Sequence, residues 1–402
     1  MYIRKFCLPA IIYLFISLVP GNGQKVLIPE MKPADARFDN FMKNGEEAGF
    51  AAMSIMQDKK GFIWYGTEFG LNRFDGIRYK RYGLGNSDST IKGFSVFSVF
   101  EDSEGTIWGG TAGALNGIDP AGGKIAHFMP DTTDFASRDN SIRFIKEDRN
   151  GLLWIITDKD VFNFSRQKKA FTRFPIDPSA WRTGYQTMVF EKDWFLEDRT
   201  GRIWIGTDAG LYRYDRHSWT RIFPADRDLD KARSRKINCV REDDEGNIWI
   251  ATESFGLLKI SDGEKGSYEE IKIMPDNVKA PEKLIVTSVL PESKNKLWIF
   301  YNSTLVDFNP VTGRSKSYLF SDKPFVQGWG NLLRIDKMFR NNDGTLWLIY
   351  IGDGLVLRFD PVKENLRYYQ VPRWVEFDCI RDNTQNFWFA SVAQSIFRLV
   401  AD

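Results

Sequence analysis

Short apolar runs with strand-like alternation recur along nearly the whole chain, and each is cut off by a polar turn. The run Phe94 to Phe100 leads into Glu101, Asp102, Ser103, Glu104 and Gly105. That predicts a strand and a hairpin turn, in which the aspartate accepts hydrogen bonds from the turn backbone and the glycine supplies a left-handed conformation. A second strand follows at Thr106 to Thr111, and small residues then turn the chain into a third such as Leu211 to Tyr214. A weaker fourth strand is predicted at Ile77 to Tyr82, Lys124 to Phe128, Phe171 to Phe174, Ser218 to Phe223 and Leu366 to Val371. No helical period interrupts these units.

The unit repeats. Its clearest copy runs from Asp198 through Gly201, Trp204, Gly206, Thr207, Gly210 and Leu211 to Tyr214 and Asp215, and the same punctuation stands at Asp58, Gly61, Trp64, Gly66, Thr67, Gly70, Leu71, Phe74 and Asp75. Further copies centre on Trp108, Trp154, Trp249, Trp298, Trp347 and Trp388, with spacings of 44, 46, 50, 45, 49, 49 and 41 residues between successive tryptophans. Four strands per period predict an all-β fold, a β-propeller of four-stranded blades with the tryptophan packed between neighbours. A parallel β-helix is the structural competitor, but its coils are shorter. Eight copies imply eight blades. Seven blades plus one orphan unit is the alternative, because Glu292 replaces the turn aspartate in copy six and Gln385 the turn glycine in copy eight. The last copy, Phe377 to Ile380, Asn386 to Ser391 and Ile396 to Val400, stops one strand short. Arg37 to Met42 has the pattern of the missing strand, so pairing of the two chain ends is expected to close the ring.

Residues 1–23 read as a secretory signal peptide. Arg4 and Lys5 precede an apolar run from Leu8 to Val19, shorter than a membrane-spanning helix, and Gly21 and Gly23 suit cleavage before Gln24. Residues 24–402 are then one propeller domain, expected in the periplasm or outside the cell and not inserted in a membrane. The whole chain carries 55 basic and 53 acidic residues. Loss of Arg4 and Lys5 brings the balance to zero, and nucleic-acid or anionic-membrane binding by charge has no footprint. Cys239 and Cys379 sit in apolar runs and read as buried thiols, with a disulfide as the alternative.

The repeat in the form Asp58 to Asp75 and Asp198 to Asp215 resembles the two-component regulator propeller repeat. Phe50 to Gly76 looks like the first repeat of the periplasmic sensor region of hybrid two-component systems of Bacteroidetes. That resemblance implies a propeller that detects oligosaccharides. The family's membrane span, kinase and response regulator have no counterpart in this sequence, so signalling is not carried over.

Ligands of propellers bind on the face built by inter-blade connections and by the turns between second and third strands. Trp181, Trp329 and Trp374 lie in inter-blade connections, beside Arg182, Tyr185, Gln327, Asn331 and Arg373. Flat aromatic rings with polar neighbours suit sugar rings, and Trp181, Arg182, Tyr185, Trp329, Arg373 and Trp374 are the expected oligosaccharide contacts. Glu68, Asp158, Asp208, Glu253 and Asp353 stand in the turns of the same face and read as solvated carboxylates. Asp58, Asp102, Asp148, Asp198 and Asp243 read as structural turn residues on the opposite face. Thr67, Thr111, Thr157, Thr207 and Thr252 are expected to tie blades together. No catalytic residue, metal or cofactor is expected: His127 and His217 stand in presumed outer strands, without metal-ligand spacing. A protein-docking scaffold, a homodimer, and a hydrolase or lyase using carboxylates from separate blades are the alternatives.

Overall fold

The computed structural model describes residues 24–27, 32–33, 37–40, 51–121, 123–175, 192–223, 235–261, 267–273, 284–319, 334–350, 355–370, 378–391 and 395–400. Eight sheets are formed, one per tryptophan repeat, and they are arranged as a β-propeller. Blade 1 comprises Ala52–Gln57, Ile63–Thr67, Gly70–Phe74 and Tyr79–Gly83, paired antiparallel in that order. Blades 2 to 8 start at Phe94–Glu101, Ile142–Glu147, Phe195–Glu197, Ile237–Glu242, Val286–Ser293, Lys337–Arg340 and Asp378–Arg381. Successive blades approach one another through these first strands, which lie nearest the axis.

The expected closure is present. Arg37–Asn40 pairs antiparallel with Ser395–Val400 and completes blade 8, whose remaining strands come from the C-terminal end. Trp388 of blade 8 then packs against Ile55, Ile63 and Phe74 of blade 1, so the joint is an apolar interface like the others. Two additions were not anticipated. Gln24–Leu27 runs parallel to the outer strand of blade 6, Ser315–Leu319, and Lys32–Pro33 runs parallel to Asn365–Gln370 of blade 7. The N-terminal segment thus covers two outer edges that would present unpaired backbone groups. Residues 1–23 lie outside the described residues.

The turn aspartates do more than cap their hairpins. Asp198 Oδ1 accepts the backbone N–H groups of Thr200 and Arg202, while Oδ2 accepts the Trp204 indole N–H at 2.8 Å. The same carboxylate-to-indole bond recurs from Asp58, Asp102, Asp148, Asp243, Glu292 and Asp382 to the tryptophan six residues on, at 2.5–3.0 Å. Glu292 therefore preserves the function of its blade despite the changed turn. Copy seven is the real departure: Asn341 occupies the aspartate position, and the buried Trp347 indole N–H has no partner among the described residues. Asn341 instead accepts from Arg381.

The residue before the turn aspartate links blades. Glu101, Glu147, Glu197 and Glu242 accept the backbone N–H of Lys59, Ser103, Arg149 and Arg199 in the preceding blade, at 2.6–2.9 Å. Gln57 accepts from Asn383 in the same way at 2.7 Å, which carries the chain of contacts across the closure. The threonines behave differently from expectation. Thr67, Thr157, Thr207 and Thr252 donate to the carbonyls of Gly70, Asp160, Gly210 and Gly256, closing turns within their own blades and not between blades. Between sheets, the repeat tryptophans fill the core; Trp64, Trp154, Trp204, Trp249 and Trp298 are fully buried.

Candidate functional site

The chain path fixes two chemically distinct ends. The aspartate turns join first to second strands and gather at one end, the lower; the turns between second and third strands and the inter-blade connections gather at the other, the upper. Trp181, Arg182, Tyr185, Trp329, Arg373 and Trp374 all lie outside the described residues, as do Gln327, Asn331 and Asp353.

A different set of side chains marks the upper rim. In the first strands of blades 1, 2, 3, 5 and 6 the pairing register slips by one residue near the upper end, at Ala52/Ser54, Val96/Ser98, Ile142/Phe144, Ile237/Cys239 and Val286/Ser288. Each slip is a β-bulge, which takes one residue out of the ladder and re-aims its side chain. The bulged residues are Met53, Phe97, Arg143, Asn238 and Thr287. Their flanks are small or apolar in every case, while they themselves range from apolar to cationic.

Contacts from blade to blade make these residues part of one rim. The Arg143 guanidinium stands 3.8 Å from the centre of the Phe97 ring and is held by two bonds of 2.8 Å to Asp158. Asn238 donates to the Val286 carbonyl at 2.8 Å and to Glu253, and Glu253 receives both arms of the Arg334 guanidinium at 2.8 and 3.1 Å. Thr287 accepts the Ile335 N–H at 3.3 Å. Asp158 and Glu253 are thus engaged in ion pairs, not merely solvated, whereas Glu68 is exposed.

Blades 1 to 3 add a patch of exposed aromatics to this rim. Phe69, Phe94 and Phe135 are 40%, 63% and 40% exposed, well beyond what folding requires of phenylalanine. Phe94 and Phe135 meet edge to face at 6.1 Å, and Lys92 lies 5.9 Å from the Phe135 ring. Phe69 belongs to the second-to-third turn of blade 1 and Phe135 to the connection between blades 2 and 3, so all stand at the upper end. Sequence reasoning sought tryptophans and passed over these residues. The signal available was an exposed-side phenylalanine in a turn otherwise built from glycine and polar residues.

Below the rim, charged side chains pair from blade to blade. Lys337 of blade 7 donates to Asp378 of blade 8 at 2.9 Å and to the Cys379 carbonyl at 2.8 Å, and Asp378 also accepts the Ile55 N–H of blade 1 at 3.3 Å. Lys337 and Asp378 are almost wholly buried. Burial works against the ammonium, yet the adjacent Asp378 carboxylate lifts Lys337 above its ordinary value. Asp193 and Arg241 form a second, half-buried pair across blades 4 and 5. Cys239 and Cys379 are buried free thiols, as expected. Among the described residues no three His, Cys, Asp or Glu side chains converge as a metal site, and no helix is long and apolar enough to cross a membrane.

Comparison with known proteins agrees with this architecture. An extracellular domain from B. thetaiotaomicron, described as belonging to a hybrid two component system, superposes with a TM-score of 0.50 at 17% identity, covering 88% of this chain and 53% of that one. The chain thus spans about half the length of that domain. A streptogramin B lyase matches with a TM-score of 0.51 at 15% identity over 80% of this chain and 97% of the lyase. An inactive virginiamycin B lyase from Staphylococcus aureus, solved with quinupristin, gives 0.53 at 12% identity over 92% and 100%. At such identities these structures share the fold alone, and it is found in sensor regions and in enzymes alike. No curated protein matches the chain. Residues 232–254, spanning the first two strands of blade 5, match the family model described as two component regulator propeller. The chain is therefore a β-propeller that carries the two component regulator propeller repeat and resembles in fold the extracellular domains of hybrid two component systems.

Proposed function

We propose that this propeller is an exported, periplasmic sensor-like module that binds an oligosaccharide on its upper rim and releases it unchanged. The observation that carries this reading is the rim of blades 1 to 3, where Phe69, Phe94 and Phe135 are exposed at the same end as the Phe97 and Arg143 pair. Aromatic faces pack against the C–H faces of pyranose rings, and a guanidinium fixed by a carboxylate offers rigid donors to hydroxyls. Trp181, Arg182, Tyr185, Trp329, Arg373 and Trp374 belong to the same proposed contact set, since their connections join one blade to the next. The charged-then-apolar pattern of residues 1–23, which reads as a signal peptide, and the likeness in fold to extracellular domains support the location.

A panel of defined oligosaccharides, read by intrinsic fluorescence and by product analysis, tests the proposal. The expected result is saturable quenching by at least one glycan, recovery of that glycan intact, and loss of quenching in Phe97→Ala and Arg143→Ala. Product release would make the protein an enzyme, and quenching unaffected by both substitutions would move the site elsewhere.

A further inference from the structure

Among the described residues the first strand starts where the leader is expected to end. Cleavage before Gln24 follows from the charged, apolar and small residues of 1–23. Gln24 is also the first residue of the strand Gln24–Leu27, whose parallel ladder on Ser315–Leu319 opens with Gln24 opposite Lys316. From there the segment steps around the ring, to blade 7 at Lys32–Pro33 and to blade 8 at Arg37–Asn40, where it supplies the closing strand. Gln24–Leu27 is the outermost strand of its sheet and is paired on one side only. Chain ends held by so short a ladder open and close readily.

A mature chain that begins there has glutamine as its first residue, and glutamine in that position carries its own reaction. The α-amine attacks the carbonyl carbon of the side-chain carboxamide and closes a lactam ring. The bond from the α-nitrogen to Cδ forms, the Cδ–Nε2 bond breaks, and one hydrogen of the α-amine leaves with the amide nitrogen as ammonia. No oxidant, reductant or cofactor is consumed. The lactam keeps one N–H, so the residue retains a donor for the sheet edge. What disappears is the terminal charge: an α-ammonium, with an ordinary pKa of about 7.7–8.0, on the strand next to Lys316, one spacing of about 4.8 Å away. Aminopeptidases need a free α-amine, so the lactam also stops trimming at the tip of the segment that ends in the closing strand. We propose that Gln24 is a modification site, cyclised to pyroglutamate after export, and that this cap preserves the strands laid over blades 6 and 7. It rests on the exported state proposed above and does not depend on what the rim binds.

The chain expressed with residues 1–23 and recovered from the periplasm of a Gram-negative host tests this by intact mass and N-terminal sequencing. The expected product is residues 24–402 less one ammonia, lighter by about 17 Da and blocked to sequencing. Pyroglutamyl aminopeptidase should then remove one residue and leave Lys25 readable. Gln24→Ala, exported in the same way, should present a free amine and lose its first residues to a broad aminopeptidase that leaves the unsubstituted protein whole. Residues 24–402 at full mass, with a readable glutamine even after treatment with a glutaminyl cyclase, would overturn the modification and leave export standing. A chain that begins at another residue would overturn the cap, and one that keeps residues 1–23 would overturn the export reading with it. Equal trimming of the two proteins would overturn the protective role.

Discussion

The lower and upper ends of the propeller are made from the same eight repeats and differ in what the repeat holds constant. At the lower end, carboxylate, indole and following-blade glutamate recur from blade to blade with nearly the same bond lengths. At the upper end, equivalent bulge positions carry methionine, phenylalanine, arginine, asparagine and threonine. Uniform chemistry at every blade is what a closed ring needs for its own integrity. Chemistry that changes around the ring serves something with no eightfold symmetry, such as a ligand.

The comparison can be broken hardest where charge is buried. Lys337→Met leaves Asp378 uncompensated among three blades, and the expected cost is about 3–5 kcal/mol, seen as a large fall in the urea midpoint. A loss under about 1 kcal/mol would mean the axis is wetter than its burial implies. Next comes the lower frame itself. Asp198→Ala removes the partner of a fully buried indole and of two turn amides, at an expected cost of about 2–3 kcal/mol with oligosaccharide binding retained.

Acid probes the same frame without mutation. Burial works against the charges of Asp198, Asp243 and Asp382. The indole N–H, the neighbouring Thr200, Asn247 or Thr384 side chain and the turn amides outweigh it, and all three lie below the ordinary 3.8. The unfolded chain therefore takes up these protons more readily than the folded one. The stability they supply is complete above the ordinary value and is lost as pH falls below it through the depressed values. Urea unfolding followed down to about pH 2 should show this slope, and it should be shallower in Asp198→Asn. A smaller effect of opposite sign is expected in blade 7. Asn341→Asp should give Trp347 the acceptor its counterparts have and raise stability by about 1 kcal/mol, measured as a higher melting temperature. Least of all should Arg143→Ala matter to folding, with a change within about 1 kcal/mol, since its ion pair sits at the rim.

The lower end was the legible one. Aspartate, glycine and tryptophan at fixed spacing report a hairpin and a packed indole directly, and the short last copy pointed to Arg37–Asn40 as the closing strand. The direct carboxylate-to-indole bond is the part of that motif that spacing does not announce, which is why Asn341 passed unnoticed while the harmless Glu292 drew attention. The parallel additions of Gln24–Leu27 and Lys32–Pro33 were invisible because two to four residues carry no period. The rim was hidden for a physical reason: a bulge is a slip in pairing between two strands, and neither strand alone records it.

Hydrogen exchange in the presence of a bound oligosaccharide tests the division between the two ends most directly. The account predicts slowed exchange confined to the upper segments around Lys92 to Phe97, Phe135 to Arg143 and Lys236 to Asn238, with the turns at Asp58 to Gly61 and Asp198 to Gly201 unchanged. Protection concentrated at those lower turns, with the rim untouched, would contradict it.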